Sequence, residues 1–469
     1  MGGWRNHCPS GAKCQPLTSI KEAERDDFCM SLATRIEERL HPVMKILEPI
    51  QGLSDMFARC FLSTLESTAR QSESGGTYVI TGDIEAMWLR DSTEQVLHYL
   101  RFAADDPELA SWIERLIHQQ MAFVLIDPYA NAFNMDPSGR HGFEDVPKAG
   151  PWIWERKYEL DSLSHVLLLA LRYHQATGRT AFLDDSFFAG VEKILDVITV
   201  EQDHEACSPY HFERFDCPPS DTLIREGRGA PVQRTGMSWS GFRPSDDACE
   251  YGYLIPANLF AQAMLRELAP LAQASGRAGI AARALQLADQ IQSGVQQYGI
   301  VEKEGFGSIY AYETDGMGRY CLMDDANVPS LLSLPYLGVC KADDPLYART
   351  RAFVLSGQNP FYHAGSAARG IGSPHTPKDS IWPIALCVQG MTSAVPAERV
   401  EMLQMLLTTH AGTRRMHESF HKDNPADFTR SWFAWANSMF GELVMQMYER
   451  GELAQAVQQL LGNGIKDIK

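Results

Sequence analysis

The chain of 469 residues carries 59 acidic against 42 basic side chains, for a net charge of −17 at neutral pH. That balance argues against a nucleic-acid or anionic-membrane partner, which calls for a basic footprint, and suits a neutral or polar substrate. Ten cysteines, with no CxxC pair and no regular spacing, do not form a zinc or disulfide framework.

The opening residues, MGGWRNHCPSGAK, lack the apolar core of a signal peptide, and Asn6 stands where a myristoylation motif wants Ser or Thr. A cytoplasmic setting is the expectation, although a trimmed secreted protein would read the same way. The most apolar run, VLLLALRYH after Asp161, is far too short to span a bilayer. Helical periodicity dominates from IKEAERDDFCMSLATRIEERLHPVMKILEPI onward, through PELASWIERLIHQQMAFVLI and AGIAARALQLADQIQSGVQQYGI. Short strands are expected at TYVI, in PYHFERFD and around SIYAYETDGMGRYCL. The segment from His204 to Arg234, rich in Pro, Cys and charge, reads as a loop near a pocket.

From Thr81 to Gln95 the chain reads TGDIEAMWLRDSTEQ, in which four carboxylates, an arginine and a tryptophan precede the apolar VLHYL. A solvated first helical turn would account for the charge alone. Met87 and Trp88 among Asp83, Glu85 and Asp91 favour a pocket, because carboxylates accept from sugar hydroxyls and an indole covers the C–H face of a sugar ring.

Comparable polar lead-ins with a nearby aromatic recur before apolar or small-residue helices: MWLRDSTEQ, WERKYELDSLS, FRPSDDACEYG, LMDDANVPSLL, HTPKDSIWP and DFTRSWFAWAN. Their markers, Asp91, Asp161, Asp247, Asp325, Asp379 and Ser431, lie roughly 50 to 90 residues apart, room for a helix pair each. The pattern predicts an all-α fold, six inner and six outer helices closed into an (α/α)6 barrel, with short β elements in its loops. The lead-ins would gather at one end of the inner ring and form a pocket.

Two later segments carry further acids. In GMSWSGFRPSDDACEYGYLIPANLF, Ser245 reads as an N-cap, with Asp246 and Asp247 in the first turn of a helix. In RRMHESFHKDNPADFTRSWFAWANSMFGELV, Glu418 stands between two histidines ahead of a tryptophan-rich helix. This stretch also matches HExxH as His417, Glu418 and His421, which in a zinc peptidase would bind metal through both histidines, with Glu442 as a third ligand. Against that, TRRM is a poor lead-in for a zincin helix, and KDNP breaks the chain soon after His421. No metal or other cofactor is expected.

Taken together, TGDIEAMWLRDSTEQ, SGFRPSDDACEYGYLIP and MHESFHKDNPADFTRSWFAWANSMFGEL closely resemble glycoside hydrolase family 125, the exo-α-1,6-mannosidases. The likeness runs from about residue 20 to 455, so the 469 residues are expected to form one catalytic domain. The resemblance implies an (α/α)6 barrel, metal-independent release of non-reducing terminal α-1,6-linked mannose from oligosaccharides such as N-glycans, and inversion at the anomeric carbon. It places the general base on Glu418 and the general acid within SDD, where Asp246 is preferred and Asp247 stays open.

Supporting roles fall on Asp83, Arg90 and Asp91 as partners of the sugar hydroxyls, with Trp88 against the ring and Arg243 orienting the acid. Each could equally form a structural ion pair, and Arg90 with Asp91 or Glu94 would be an ordinary helix pairing. Asp324, Asp325, Asn327, His375 and Asp379 are candidates for the same mouth, and so are Trp432 and Trp435, which at this spacing more often belong to a core. The expected partner is a mannose-containing oligosaccharide; oligomeric state is left open. Competing readings are a barrel glycosidase of other linkage, the zinc peptidase, and a non-catalytic glycan-binding barrel, which would have no need of acids in both SDD and HES.

Overall fold

A computed structural model describes residues 27–72 and 75–468. The N-terminal leader features around Asn6 and the start of the first expected helix lie outside the described residues.

Helices α1 (Asp27–Leu47) and α2 (Leu53–Phe61) come first, followed by α3 (Leu89–Leu97), α4 (Pro107–Ile126), α5 (Leu160–Thr177) and α6 (Asp185–Glu201). After these come α7 (Ile255–Ala274), α8 (Ala278–Tyr298), α9 (Pro345–Val354), α10 (Pro383–Met391), α11 (Pro396–Thr408), α12 (Ala434–Glu449) and α13 (Leu453–Gly462). The inner ring is α3, α5, α7, a run of turns over 331–338, α10 and α12. Its members are buried nearly all round, whereas α4, α6, α8, α9, α11 and α13 are amphipathic and form the outer layer. α2 packs on α12 beside the seam where α12 meets α3, with α1 over α2. This is the (α/α)6 architecture expected from the six lead-ins.

The fourth inner position departs from that expectation, because LMDDANVPSLL does not run into a helix. Pro329 and Pro335 deny the ladder two N–H donors. The buried Asp324 carboxylate accepts instead from the Leu331 and Leu332 N–H groups, at 2.8 and 2.9 Å. Ser330 and Ser333 bond to each other's backbone and hydroxyls.

Inner and outer helices begin differently. Asp106, Asp184 and Asp344 cap the outer helices α4, α6 and α9 with their own side chains, and Pro107 and Pro345 occupy first-turn positions that need no donor. None of the five inner helices has a side-chain cap from its own N-cap residue. Distant backbone and side chains take their first donors: Leu89 N–H goes to Asn131 O, Leu160 N–H to Ser240 Oγ, Ile255 N–H to Tyr312 O, and Ala434 N–H to Thr81 O.

Three small antiparallel sheets gather at this end. They pair Met87–Trp88 with Ala132–Phe133 and Ile153–Glu155, Tyr253–Leu254 with Glu313–Thr314 and Tyr320–Cys321, and Ser380–Ile381 with Ser419–His421 and Phe428–Thr429. Strands were expected at TYVI, PYHFERFD and around SIYAYETDGMGRYCL; the first two regions contain one each and the third contains three. Among the described residues, no helix is long and apolar enough to cross a membrane.

Candidate active site

The N-terminal ends of the inner helices surround a pocket of about 400 Å³. Its wall includes Trp88, Arg90 and Asp91 from the start of α3, Ser245 and Asp246, Asn327 and His375, Trp382, Glu418 and Arg430, and Trp435 in α12. A larger cleft of about 1300 Å³ opens around Arg172, Tyr336 and Glu442 at the C-terminal ends of the inner helices. The smaller pocket is the better candidate, because it joins convergent carboxyls to aromatic faces where helix dipoles point inward.

The SDD segment corrects the sequence reading. Ser245 does not cap a helix: residues 240–252 are irregular, α7 begins only at Ile255, and the buried Ser245 hydroxyl has no partner among the described residues. Asp246 sits in a tight turn closed by its N–H to Arg243 O at 2.9 Å, with φ of 66°, a strained value for a residue with a side chain. This turn, rather than helical rotation, separates Asp246 from Asp247: Asp246 lines the pocket, while Asp247 lies behind it against His375 Nδ1 at 3.2 Å.

Asp246 is surrounded by charge. Asn131 Nδ2 donates to its carboxylate at 3.1 Å, Arg90 lies 3.9 Å away, and Lys157 Nζ donates to its main-chain oxygen at 2.8 Å. Burial alone would raise the Asp246 carboxyl, but Lys157 and Arg90 outweigh it and hold the group below its usual range. The neighbouring Glu159 carboxyl moves the other way, raised well above normal chiefly by burial. Burial also lifts Asp91 to about 6 against the pull of Arg90 and Arg430.

Arg90 is not an ordinary helix pair. Its Nη1 reaches across to Glu159 at 2.7 Å and Asp161 at 3.0 Å on the neighbouring inner element, while Asp91 is 3.7 Å from its Nε. The Arg243 side chain does not reach the Asp246 carboxyl but bonds to Glu313 at 2.5 Å. Asp325 is fully buried behind the wall, accepting from Asn327 and Ser373, and Asn327 is the member of MDDAN that reaches the pocket. Asp379 pairs with Lys422 at 2.8 Å, away from the wall residues.

Glu418, also in the pocket wall, is buried, and Arg430 donates to it at 3.5 Å. Arg430 itself has φ of 38° and is held by Thr81 Oγ1 at 2.8 Å and by Asp83. Asp83 therefore anchors the arginine at the rim and does not line the pocket. Gly82 makes this possible: a Cβ there would lie 2.4 Å from Trp432 O, where the two segments of the chain meet.

The zinc reading fails on backbone geometry. The HES segment is extended, with a strand at Ser419–His421, so its two histidines do not share a helix face. The His417 ring stacks on Phe428 at 3.8 Å, His421 Nδ1 accepts from Asp423 N–H, and Glu442 bonds to Arg101.

His375 stands at the mouth with its side chain 38 % exposed. Its burial lowers the imidazole, but the hydrogen bond and charge of Asp247, with help from Glu418 and Asp246, raise it to about 9. Solvent at the mouth weakens that coupling.

Sequence reasoning missed Arg430, Asn131, Lys157 and Glu159. The signal for the last two was present in WERKYELDS: Glu155, Lys157 and Glu159 fall at alternate positions from the strand Ile153–Glu155 onward, and all three are buried. Trp382 was missed as a wall residue, and Trp435 lines the pocket where a core role was the plainer expectation. The 204–234 segment borders the site from behind, since its Asp221 bonds Lys157 and its Arg214 bonds Glu155 at 3.0 Å.

A family model described as metal-independent alpha-mannosidase (GH125) matches residues 51–445. The chain belongs to this family. Its relatives include the meiotically up-regulated gene 157 protein of Schizosaccharomyces pombe, 41 % identical over 437 residues, covering 88 % of this chain and 86 % of that protein. Among solved structures, a Streptococcus pneumoniae metal-independent alpha mannosidase in a non-productive complex with α-1,6-mannobiose is 43 % identical. It superposes with a TM-score of 0.84 over 90 % of this chain and 99 % of that one. A bacterial glucoamylase is similar in fold alone, at 14 % identity and a TM-score of 0.58, covering 88 % of this chain and 59 % of that one. As a member of GH125 the protein is a glycoside hydrolase, an α-mannosidase with an α/α-barrel fold.

Proposed function

We propose that this α-mannosidase is exo-acting and cleaves α-1,6 linkages, releasing one terminal mannose at a time with inversion, from a single catalytic barrel. The observation that carries the reading is that Asp246 and Glu418, far apart in sequence, line one small pocket whose floor is closed by inner-helix termini. Such a pocket suits a chain end rather than a chain interior. The mannobiose bound by the pneumococcal relative supports the linkage.

In this reading Asp246 is the general acid. It gives a proton to the glycosidic oxygen as the C1–O bond breaks, and the electron pair of that bond stays on oxygen. Glu418, oriented by Arg430, takes a proton from the water that attacks C1 on the opposite ring face. An inverting pair needs about 6.5 to 9.5 Å between carboxyls to admit that water. Asp91 accepts from sugar hydroxyls, and Trp88, Trp382 and Trp435 supply apolar faces.

Hydrolysis of α-1,6-mannobiose with EDTA present tests the reading, with undiminished release of mannose expected. Proton NMR of the first-formed sugar reads the stereochemistry: β-mannose is expected, and initial α-mannose would rule out inversion.

A further inference from the structure

A general acid must hold a proton before it can give one, and Lys157 and Arg90 favour the ionised form of Asp246. Its surroundings hold the remedy. Glu159 and Asp246 share one amide donor, since Asn131 Nδ2 donates to Glu159 at 3.5 Å and to Asp246 at 3.1 Å. Two carboxylates drawn together in this way disfavour each other's ionisation.

Charge accounting around the contact agrees. Asp91, Glu155, Glu159, Asp161 and Asp246 crowd about Arg90 and Lys157. Arg214 helps Glu155 but is also claimed by Asp145 and Asp221, and Asp221 in turn bonds Lys157. His165 faces Asp161 from α5 but also lies against Glu94. His375 approaches from the mouth, bonded to Asp247. Arg430 pulls on Asp91 but also serves Asp83 and Glu418, so carboxyls still outnumber cations, which favours keeping a proton there.

We infer that Glu159 is the proton-holding partner of the acid: Glu159 and Asp246 share one proton, and the pair, rather than Asp246 alone, is the unit that ionises. The donating state is Asp246 protonated with Glu159 ionised. Arg90 Nη1 at 2.7 Å and the Ser162 hydroxyl at 2.8 Å are placed to hold the Glu159 carboxylate in that state. The Asp246 proton passes to the glycosidic oxygen as C1–O breaks, the attacking water gives its proton to Glu418, and both members of the pair are left ionised. Glu418 then loses its proton to solvent while the pair regains one.

The inference rests on Asp246 being the acid, and the test separates the two. Glu159→Gln keeps the shape but cannot lend a proton. Its kcat/KM on α-1,6-mannobiose is expected to fall on the order of 10²-fold. The basic limb of its pH profile should move toward lower pH, because Asp246 beside Lys157 and Arg90 ionises early once alone. Turnover of a dinitrophenyl α-mannoside, whose leaving group departs without a proton, should fall far less. Equal losses on both substrates, or an unmoved basic limb, would overturn the role of Glu159. If Asp246→Asn cleaves mannobiose normally, the acid assignment itself falls. If Asp246→Asn discriminates between the substrates and Glu159→Gln does not, only the Glu159 inference falls.

Should Glu159→Gln fail to fold, Ser162→Ala decides. Losing the hydroxyl that favours ionised Glu159 should move the basic limb upward, and no shift or a downward one counts against the shared proton.

Discussion

Asp246 and Glu418 face one pocket from environments built on different principles. Asp246 stands in a crowd, with Glu159, Asn131, Arg90 and Lys157 all within reach of its carboxyl or backbone. Glu418 has one charged hydrogen-bond partner among the described residues, Arg430, held in place by Thr81 and Asp83. In the proposed mechanism the crowd retains a proton, whereas a single guanidinium orients a carboxylate. Proton donor and proton acceptor would then differ in what surrounds them more than in what they are.

The sharpest break of this comparison removes each carboxyl in turn. Glu418→Gln should cost at least about 10³-fold in kcat on both mannobiose and a dinitrophenyl mannoside, since either reaction needs water activated. Asp246→Asn should cost about 10²- to 10⁴-fold on mannobiose and much less on the aryl substrate. Steady-state kinetics on the two substrates reads both, and interchanged patterns would exchange the roles.

Arg430→Met comes next. Losing charge-assisted hydrogen bonds of about 1.5–3 kcal/mol corresponds to roughly 10- to 100-fold in kcat, with partial recovery in Arg430→Lys. A change confined to KM would make Arg430 a sugar contact instead. Asp247→Asn should be milder than Asp246→Asn, within about tenfold, because Asp247 acts through His375. A larger loss than that of Asp246→Asn would reassign the acid.

The smallest effect is on stability. The His375 imidazole is raised to about 9, so its pairing with Asp247 stabilises the fold fully below the ordinary imidazole pKa of about 6.5 and fades as pH rises through about 9. Exposure at the mouth keeps the contribution below about 1 kcal/mol. The Tm difference between wild type and His375→Gln should therefore shrink between pH 6 and pH 10; a growing difference would reverse the sign.

Much of this was legible in the chain. Six acidic lead-ins marked the pocket-facing end of the inner ring, and TGD, SDD and HES carried the resemblance to GH125, because each is a contiguous string whose chemistry is local. The residues Trp88, Arg90, Asp91, Asp246, His375 and Glu418 do meet at one wall. Asp83, Arg243, Asp247 and Asp325 stand off it, because each is drawn to a partner remote in sequence: Arg430, Glu313, His375 and Ser373.

The sequence by itself determined the helical periodicity and the family, and it pointed to the two segments proposed for the proton chemistry. Side-chain caps such as Asp106 and Asp344 are within its reach, since cap and capped donors are neighbours. Only the tertiary structure decided how the inner helices begin, because their first donors are satisfied by Asn131, Ser240, Tyr312 and Thr81 from other elements. For the same reason Ser245 looked like a cap and was not one. TGDIEAMWLRDSTEQ, dense in charge, proved to supply the anchor of Arg430 and part of the pocket wall. What a carboxylate does is fixed by the charges and hydrogen bonds around it, and in a closed barrel most of those come from far along the chain.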